Sequence, residues 1–180
     1  MNILILNGSP RRRGNTHAVL EQIEKQLGSG HHVEFINVST LKLSGCVACD
    51  ACKKNGGHCI RPDESDATIQ KIAQADVLIF GTPVYWWGMS SQLKTLVDKF
   101  YSQTAQFKTM AKKIGLVVVG ASGVEDKQYQ LIHDQFACIA AFLNWDFRFF
   151  LPFSAHAAGE VMEQTDVLDK VKNACAELCR

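Results

Sequence analysis

At 180 residues the chain has the length of one ordinary domain, and 47% apolar against 21% charged residues is the balance of a soluble globular protein with a sizeable core. Nineteen basic and eighteen acidic residues leave a net charge of +1, which argues against nucleic acid or a membrane surface as the main partner. No apolar run approaches the ~20 residues that span a bilayer, and the opening residues carry no leader pattern. Seven cysteines, an odd number, fit a reducing cytoplasm better than a disulfide framework.

Strand and helix patterns alternate along the whole chain. Asn2–Leu6 is a near-continuous apolar run, as a strand buried on both faces requires. Val19, Leu20, Ile23 and Leu27 then mark one helical face, closed by Gly28. His32–Val38 returns to strand, Glu64–Ala75 reads as a helix, and Val77–Phe80 is a second buried-strand run. Leu93, Leu96, Val97, Phe100 and Tyr101 repeat at helical spacing. Ile114–Val119 is strand, Ile132, Phe136, Ile139, Ala140 and Leu143 line a helix, and Asp146–Phe150 is a fifth strand. Val167, Leu168, Val171, Cys175 and Leu178 stripe a last helix. Five strands alternating with five helices predict one doubly wound α/β domain over residues 1–180, with a parallel sheet covered on both faces. In such sheets ligands bind at the carboxyl ends of the strands, so the loops after the first, third and fourth strands are expected to meet.

Those loops have unusual content. The first runs Gly8-Ser9-Pro10-Arg11-Arg12-Arg13-Gly14-Asn15-Thr16 and opens a helix. Backbone N–H groups, hydroxyls and the positive end of that helix all face one small volume, which suits a phosphomonoester. Three of the six arginines sit in this loop. Gly81–Met89 holds two of the three tryptophans in Tyr85-Trp86-Trp87, and such a loop at a strand's carboxyl end suits the wall of a planar ligand or a packed subunit contact. The third loop, Gly120-Ala121-Ser122-Gly123, offers small residues and backbone donors or a simple turn.

Gly8-Ser9-Pro10-Arg11…Gly14-Asn15-Thr16 together with Thr82-Pro83-Val84-Tyr85-Trp86 resembles the flavodoxin-like NADPH-dependent FMN reductases, a family related to the iron–sulfur flavoproteins. The resemblance extends over about residues 1–125 and then reduces to strand and helix pattern. It implies a flavodoxin-like five-stranded sheet in the order 2-1-3-4-5. It implies that Ser9, Arg11, Asn15 and Thr16 hold the FMN phosphate. Pro83, Val84, Tyr85 and Trp86 would border the isoalloxazine ring, with Ser122 and Gly123 closing its other side. The activity implied is hydride transfer from NAD(P)H to bound FMN and on to a small-molecule acceptor such as a quinone or an azo or nitro compound, in a homodimer or homotetramer. Flavin carries the redox chemistry, so no side-chain general base is assigned. A flavodoxin-type electron carrier and a non-catalytic redox-sensing module are the alternatives.

Cys46, Cys49, Cys52 and Cys59 follow C-x2-C-x2-C-x6-C spacing. Four thiols so close suit a [4Fe–4S] cluster better than zinc, whose structural sites usually split into two pairs. The resemblance covers relatives with and without such a cluster, and the reading preferred here is FMN alone, with no metal. The other readings are small apolar packing and a reactive thiol pair beside Lys53 and Lys54. His58 lies within this loop, and His17 follows the phosphate loop as a surface helix residue. Cys138 reads as core, and Cys175 and Cys179, spaced i, i+4 on the last helix, read as core or half-buried packing rather than a redox pair.

Overall fold

A computed structural model describes residues 1–179. Strands β1 (Asn2–Asn7), β2 (His32–Asn37), β3 (Val77–Pro83), β4 (Lys113–Gly120) and β5 (Asp146–Ser154) pair in parallel in the order β2-β1-β3-β4-β5, the expected flavodoxin-like topology. The connecting helices are α1 (Asn15–Gly28), α2 (Ala51–Lys54), α3 (Ser65–Gln74), α4 (Ser91–Asp98), α5 (Thr104–Phe107), α6 (Lys127–Leu143) and α7 (Val167–Cys179). Among the described residues no helix is long and apolar enough to cross a membrane.

Side chains alternate across each strand, so one sheet feeds two separate cores. Ile3, Ile5, Ile79, Val117 and Val119 face the apolar stripes of α1 and α7, where Val19, Leu20, Ile23, Val171 and Leu178 are buried. Leu4, Leu6, Phe80, Leu116 and Val118 face α3, α4 and α6, meeting Ile69, Leu93, Leu96, Ile132 and Phe136. A one-residue slip in register would exchange these two sets, so the pairing of Ile3 with Val33 and Val77 is strongly specified.

Two element ends and the burial of the helix cysteines depart from the sequence expectation. β5 runs four residues past Phe150, through Pro152. It is an edge strand paired only with β4, where a residue lacking N–H is tolerated. The helix expected to reach Tyr101 ends at Asp98 and tightens into a 3₁₀ turn over Lys99–Gln103, leaving Tyr101 exposed. Cys138 stands on the outer face of α6 and is exposed rather than core; Cys175 is buried as expected, but Cys179, one turn on, is exposed.

Candidate active site

β1 ends on Asn7, a fully buried polar residue that organises the first loop. Its carboxamide oxygen accepts the Ser9 N–H at 3.0 Å, and its Nδ2 donates to Asn37 Oδ1 at 2.8 Å. Ser9 Oγ in turn accepts the Arg11 N–H at 3.2 Å. Gly8 donates to Gly81 O at 2.7 Å and accepts from Ser90 Oγ at 2.7 Å; a Cβ there would lie 2.7 Å from Leu93 Cβ. Only glycine permits that approach of β1 to the start of α4. Ser90 is also the N-cap of α4, accepting from Leu93 N.

By contrast α1 opens after Gly14 with no side-chain cap. The first-turn N–H groups therefore point toward the cleft without a capping oxygen, at the positive end of the helix. Asn15 is not the missing cap: its Nδ2 donates to Ala157 O at 2.8 Å and its Oδ1 accepts the Val161 N–H at 3.3 Å. Its carboxamide clasps the segment after β5, leaving its backbone N–H for a ligand. Replacing Asn7 by Ala is expected to cost about 1–3 kcal/mol by leaving its partners without hydrogen bonds, and to weaken in parallel the binding of FMN that the resemblance implies. Urea unfolding and fluorescence titration with FMN measure the two effects.

The three loops meet as anticipated. A cleft of about 230 Å³ is lined by Ser9, Arg11, Asn15 and Thr16, by Pro83, Val84 and Tyr85, and by Gly120 and Ala121. Ala155 and His156, just beyond β5, complete it. Trp86, Ser122 and Gly123 lie outside this lining. Trp86 is 92% exposed and forms, with Trp87, the tip of a two-residue hairpin closed by reciprocal Tyr85 and Gly88 hydrogen bonds of 3.0 Å. Both tryptophans are left-handed, with φ of 47° and 58°, a conformation costing ~1–2 kcal/mol per residue. The exposed Ser122 is tied down through its carbonyl, which accepts the Tyr129 hydroxyl at 2.7 Å. Burial pushes that hydroxyl above its ordinary pKa, so Tyr129 stays a donor while it holds the β4–α6 loop to β5, contacting Phe153 O at 3.1 Å. Across the cleft, the N–H groups of Ala157 and His156 bind the Glu160 carboxylate at 2.6 Å each and hold it below the usual carboxylate range.

The sequence reading gives no site role to Asn7, Tyr129, Ala155 or His156. A polar residue ending the apolar run Ile3–Leu6 was a signal for Asn7; the contributions from α6 and β5 depend on tertiary contacts that no local pattern displays.

The four clustered cysteines line a second, smaller pocket with Lys99 and Tyr101. Cys46 and Cys49 are exposed, while Cys52 and Cys59 are partly buried. Their donor chemistry suits an iron–sulfur cluster, but among the described residues no three Cys, His, Asp or Glu side chains are gathered as metal ligands. His58 is engaged with Asp66, its Nδ1 lying 2.9 Å from Oδ2. Lys53 donates to Tyr101 O at 2.7 Å, and the ammonium found against a thiol is instead that of Lys99, 3.5 Å from Cys59 Sγ. Beneath them Asp63 receives the N–H groups of Ser44 and Ser65 at 2.9 Å each, and both hydroxyls. It also faces the Lys99 ammonium at 3.5 Å.

Residues 1–144 match the model of the NADPH-dependent FMN reductase family. An iron–sulfur flavoprotein of Methanocaldococcus jannaschii is 35% identical over 139 residues, covering 76% of this chain and 72% of that protein. YwqN of Bacillus subtilis, whose name describes an NAD(P)H-dependent FMN-containing oxidoreductase, is 29% identical over 93% of both chains. In fold, an FMN-dependent NADH-azoreductase from Bacillus anthracis superposes over 100% of both chains with a TM-score of 0.74 at 13% identity. The matched segment holds the uncapped start of α1, the Pro83–Tyr85 wall and the Gly120–Ala121 turn, and on that match the chain belongs to the NADPH-dependent FMN reductase family.

Proposed function

We propose that this protein is an NAD(P)H-dependent FMN oxidoreductase that passes reducing equivalents to a small acceptor of the quinone, azo or nitro class. The observation that carries the reading is one cleft in which an uncapped helix start meets a wall containing an aromatic ring. FMN fits these donors: the phosphate has the Ser9 and Thr16 hydroxyls, the N–H groups of Asn15 and its neighbours, and the Arg11 guanidinium. Pro83, Val84 and Tyr85 supply a flat apolar wall for the ring, with Trp86 at its outer margin. Gly120 and Ala121 border the other side, in the turn that Tyr129 holds through the Ser122 carbonyl, with Ser122 and Gly123 at its outer margin. When bound, FMN supplies the hydride-accepting centre. The chain's own residues bind the phosphate, orient the ring and keep water from one of its faces. Purified protein should be yellow and oxidise NADPH in the presence of a quinone; colourless protein without measurable FMN affinity would remove the reading.

The same reading includes a homo-oligomer. Trp86 at 92% and Trp87 at 55% exposure present two adjacent indoles beside the cleft, a surface a small monomer rarely leaves bare. A groove between α4 and α6, with Met89, Val97, Leu131 and Ile139 among its lining and Lys94, Asp98 and Asp134 beside them, begins next to that hairpin. A patch that carries both a knob and a hollow offers what a two-fold interface needs, where the same surface meets itself. Light scattering should give at least a dimer at micromolar concentration, and Trp86→Ser with Trp87→Gly should shift it toward monomer.

A second reading, an iron–sulfur flavoprotein, draws on the four thiols that share one pocket. Iron and acid-labile sulfide in cluster stoichiometry, measured after anaerobic purification, would favour it.

A further inference from the structure

The cysteine pocket contains a charge arrangement that FMN reduction does not use. Lys99 is only 2% exposed, and its ammonium has two neighbours, Cys59 Sγ and Asp63 Oδ2, each at 3.5 Å. Asp63 is already saturated by the N–H and O–H donors of Ser44 and Ser65. Its carboxylate keeps the cation in place, yet little of its hydrogen-bonding capacity remains for Lys99. The ammonium therefore presents a buried positive charge and an N–H donor to one sulfur, that of Cys59. Burial strengthens this, because water screens the pair weakly.

We propose that Cys59 is a modification site, the thiol of this protein that a hydroperoxide oxidises first, and that Lys99 directs the reaction there. The Cys59 sulfur attacks the O–O bond of hydrogen peroxide. An S–O bond forms, the O–O bond breaks, and the thiol proton leaves with the departing oxygen as water. Sulfur gives up two electrons and becomes a sulfenic acid. Lys99 stabilises the negative charge that passes from sulfur to the departing oxygen during the attack. The sulfenic acid then condenses with the thiol of Cys46, Cys49 or Cys52, the other cysteines of the same pocket, forming one disulfide and a second water. In sum, two thiols and one peroxide give one disulfide and two waters.

Access alone predicts a different order. Cys46, Cys49 and Cys179 are exposed, as is Cys138 in the single chain, where it lines the groove between α4 and α6, whereas Cys59 is partly buried. Cys179 also has a polar neighbour, His31 Nε2 at 3.5 Å, so it is the sharpest internal competitor. The test is peroxide treatment of the reduced flavin-loaded protein with dimedone present, followed by time-resolved peptide mass spectrometry. The Cys59 adduct should form about tenfold faster than any adduct at the four exposed cysteines. Without dimedone, Cys59 should appear in a disulfide with a pocket cysteine. Lys99→Met should remove the advantage and Lys99→Arg should retain most of it, with flavin retention reporting the fold. Faster labelling of an exposed cysteine in the wild-type protein overturns the proposal, as does an unchanged Cys59 rate in folded Lys99→Met. Should Lys99→Met not fold, the wild-type order decides alone. Cluster-stoichiometric iron in the starting protein also overturns it, because all four sulfurs would then be ligands.

Discussion

Thr16→Glu should yield a folded protein that no longer retains FMN. Thr16 is 2% exposed in the first turn of α1 and faces the cleft, so a longer side chain there extends into the space of the phosphate. A carboxylate at a helix N-terminus is favourable to the helix by ~0.3–1 kcal/mol, the same field that attracts the phosphate. Fold and ligand therefore respond in opposite directions. The carboxylate occupies the N–H groups and repels the dianion, and FMN affinity should fall at least about a thousandfold, roughly 4 kcal/mol. Equilibrium dialysis with FMN measures the loss, and thermal unfolding of the two cofactor-free proteins should differ by no more than about 1 kcal/mol. Undiminished FMN affinity in this variant would place the phosphate elsewhere and undo the proposed function.

Asp63→Asn should destabilise the protein by about 3–5 kcal/mol, the usual result of leaving one member of a buried ion pair alone. The side chains of Lys99 and Asp63 are 2% and 8% exposed, so water cannot compensate the ammonium. For a chain of this size each kcal/mol moves the melting temperature by ~2–4 °C, and the expected fall is roughly 6–20 °C. Asp63→Asn with Lys99→Met should recover part of it, since the stranded charge is then gone. The pH dependence has a definite sign. Burial alone would raise the Asp63 carboxyl, but the hydroxyl and N–H groups of Ser44 and Ser65 outweigh it and hold the group well below its ordinary 3.8. A carboxyl lowered on folding contributes stability that is complete above its unfolded value and declines as pH falls. The gap between wild type and Asp63→Asn should therefore be constant near neutrality and narrow steadily below about pH 3.8. A gap that persists unchanged into strong acid would mean that Asp63 ionisation is not its source.

Much of the sheet was legible because buried parallel strands announce themselves. Ile3–Leu6, Val77–Phe80 and Ile114–Val119 are unbroken apolar runs with both faces covered, and nothing local competes with them. The end of β5 was not legible: Pro152 argues against a strand until one knows that the strand lies at an edge. The end of α4 misled for the opposite reason. Phe100 keeps the helical spacing and is buried, but it reaches the core from a 3₁₀ turn, which aims Lys99 inward as well. At the site, the phosphate loop was readable because its glycines and hydroxyls are contiguous. The spent carboxamide of Asn15 could not be foreseen, since Ala157 lies 142 residues away. The same holds for Lys99, which comes to Cys59 from forty residues along the chain while the nearer Lys53 turns to Tyr101.

The three tryptophans divide into two kinds of optical reporter. Trp145 is 5% exposed, with its indole N–H donating to Phe107 O at 3.1 Å, so its emission should move to the red only when the molecule unfolds. Trp86 and Trp87 already meet water, and their ring centroids lie 6.1 Å apart at the rim of the cleft. Their fluorescence should be quenched by a nearby flavin and blue-shifted by subunit association, with the Trp145 signal left in place. Denaturation, cofactor uptake and assembly can thus be followed as distinct colour changes within one unlabelled polypeptide.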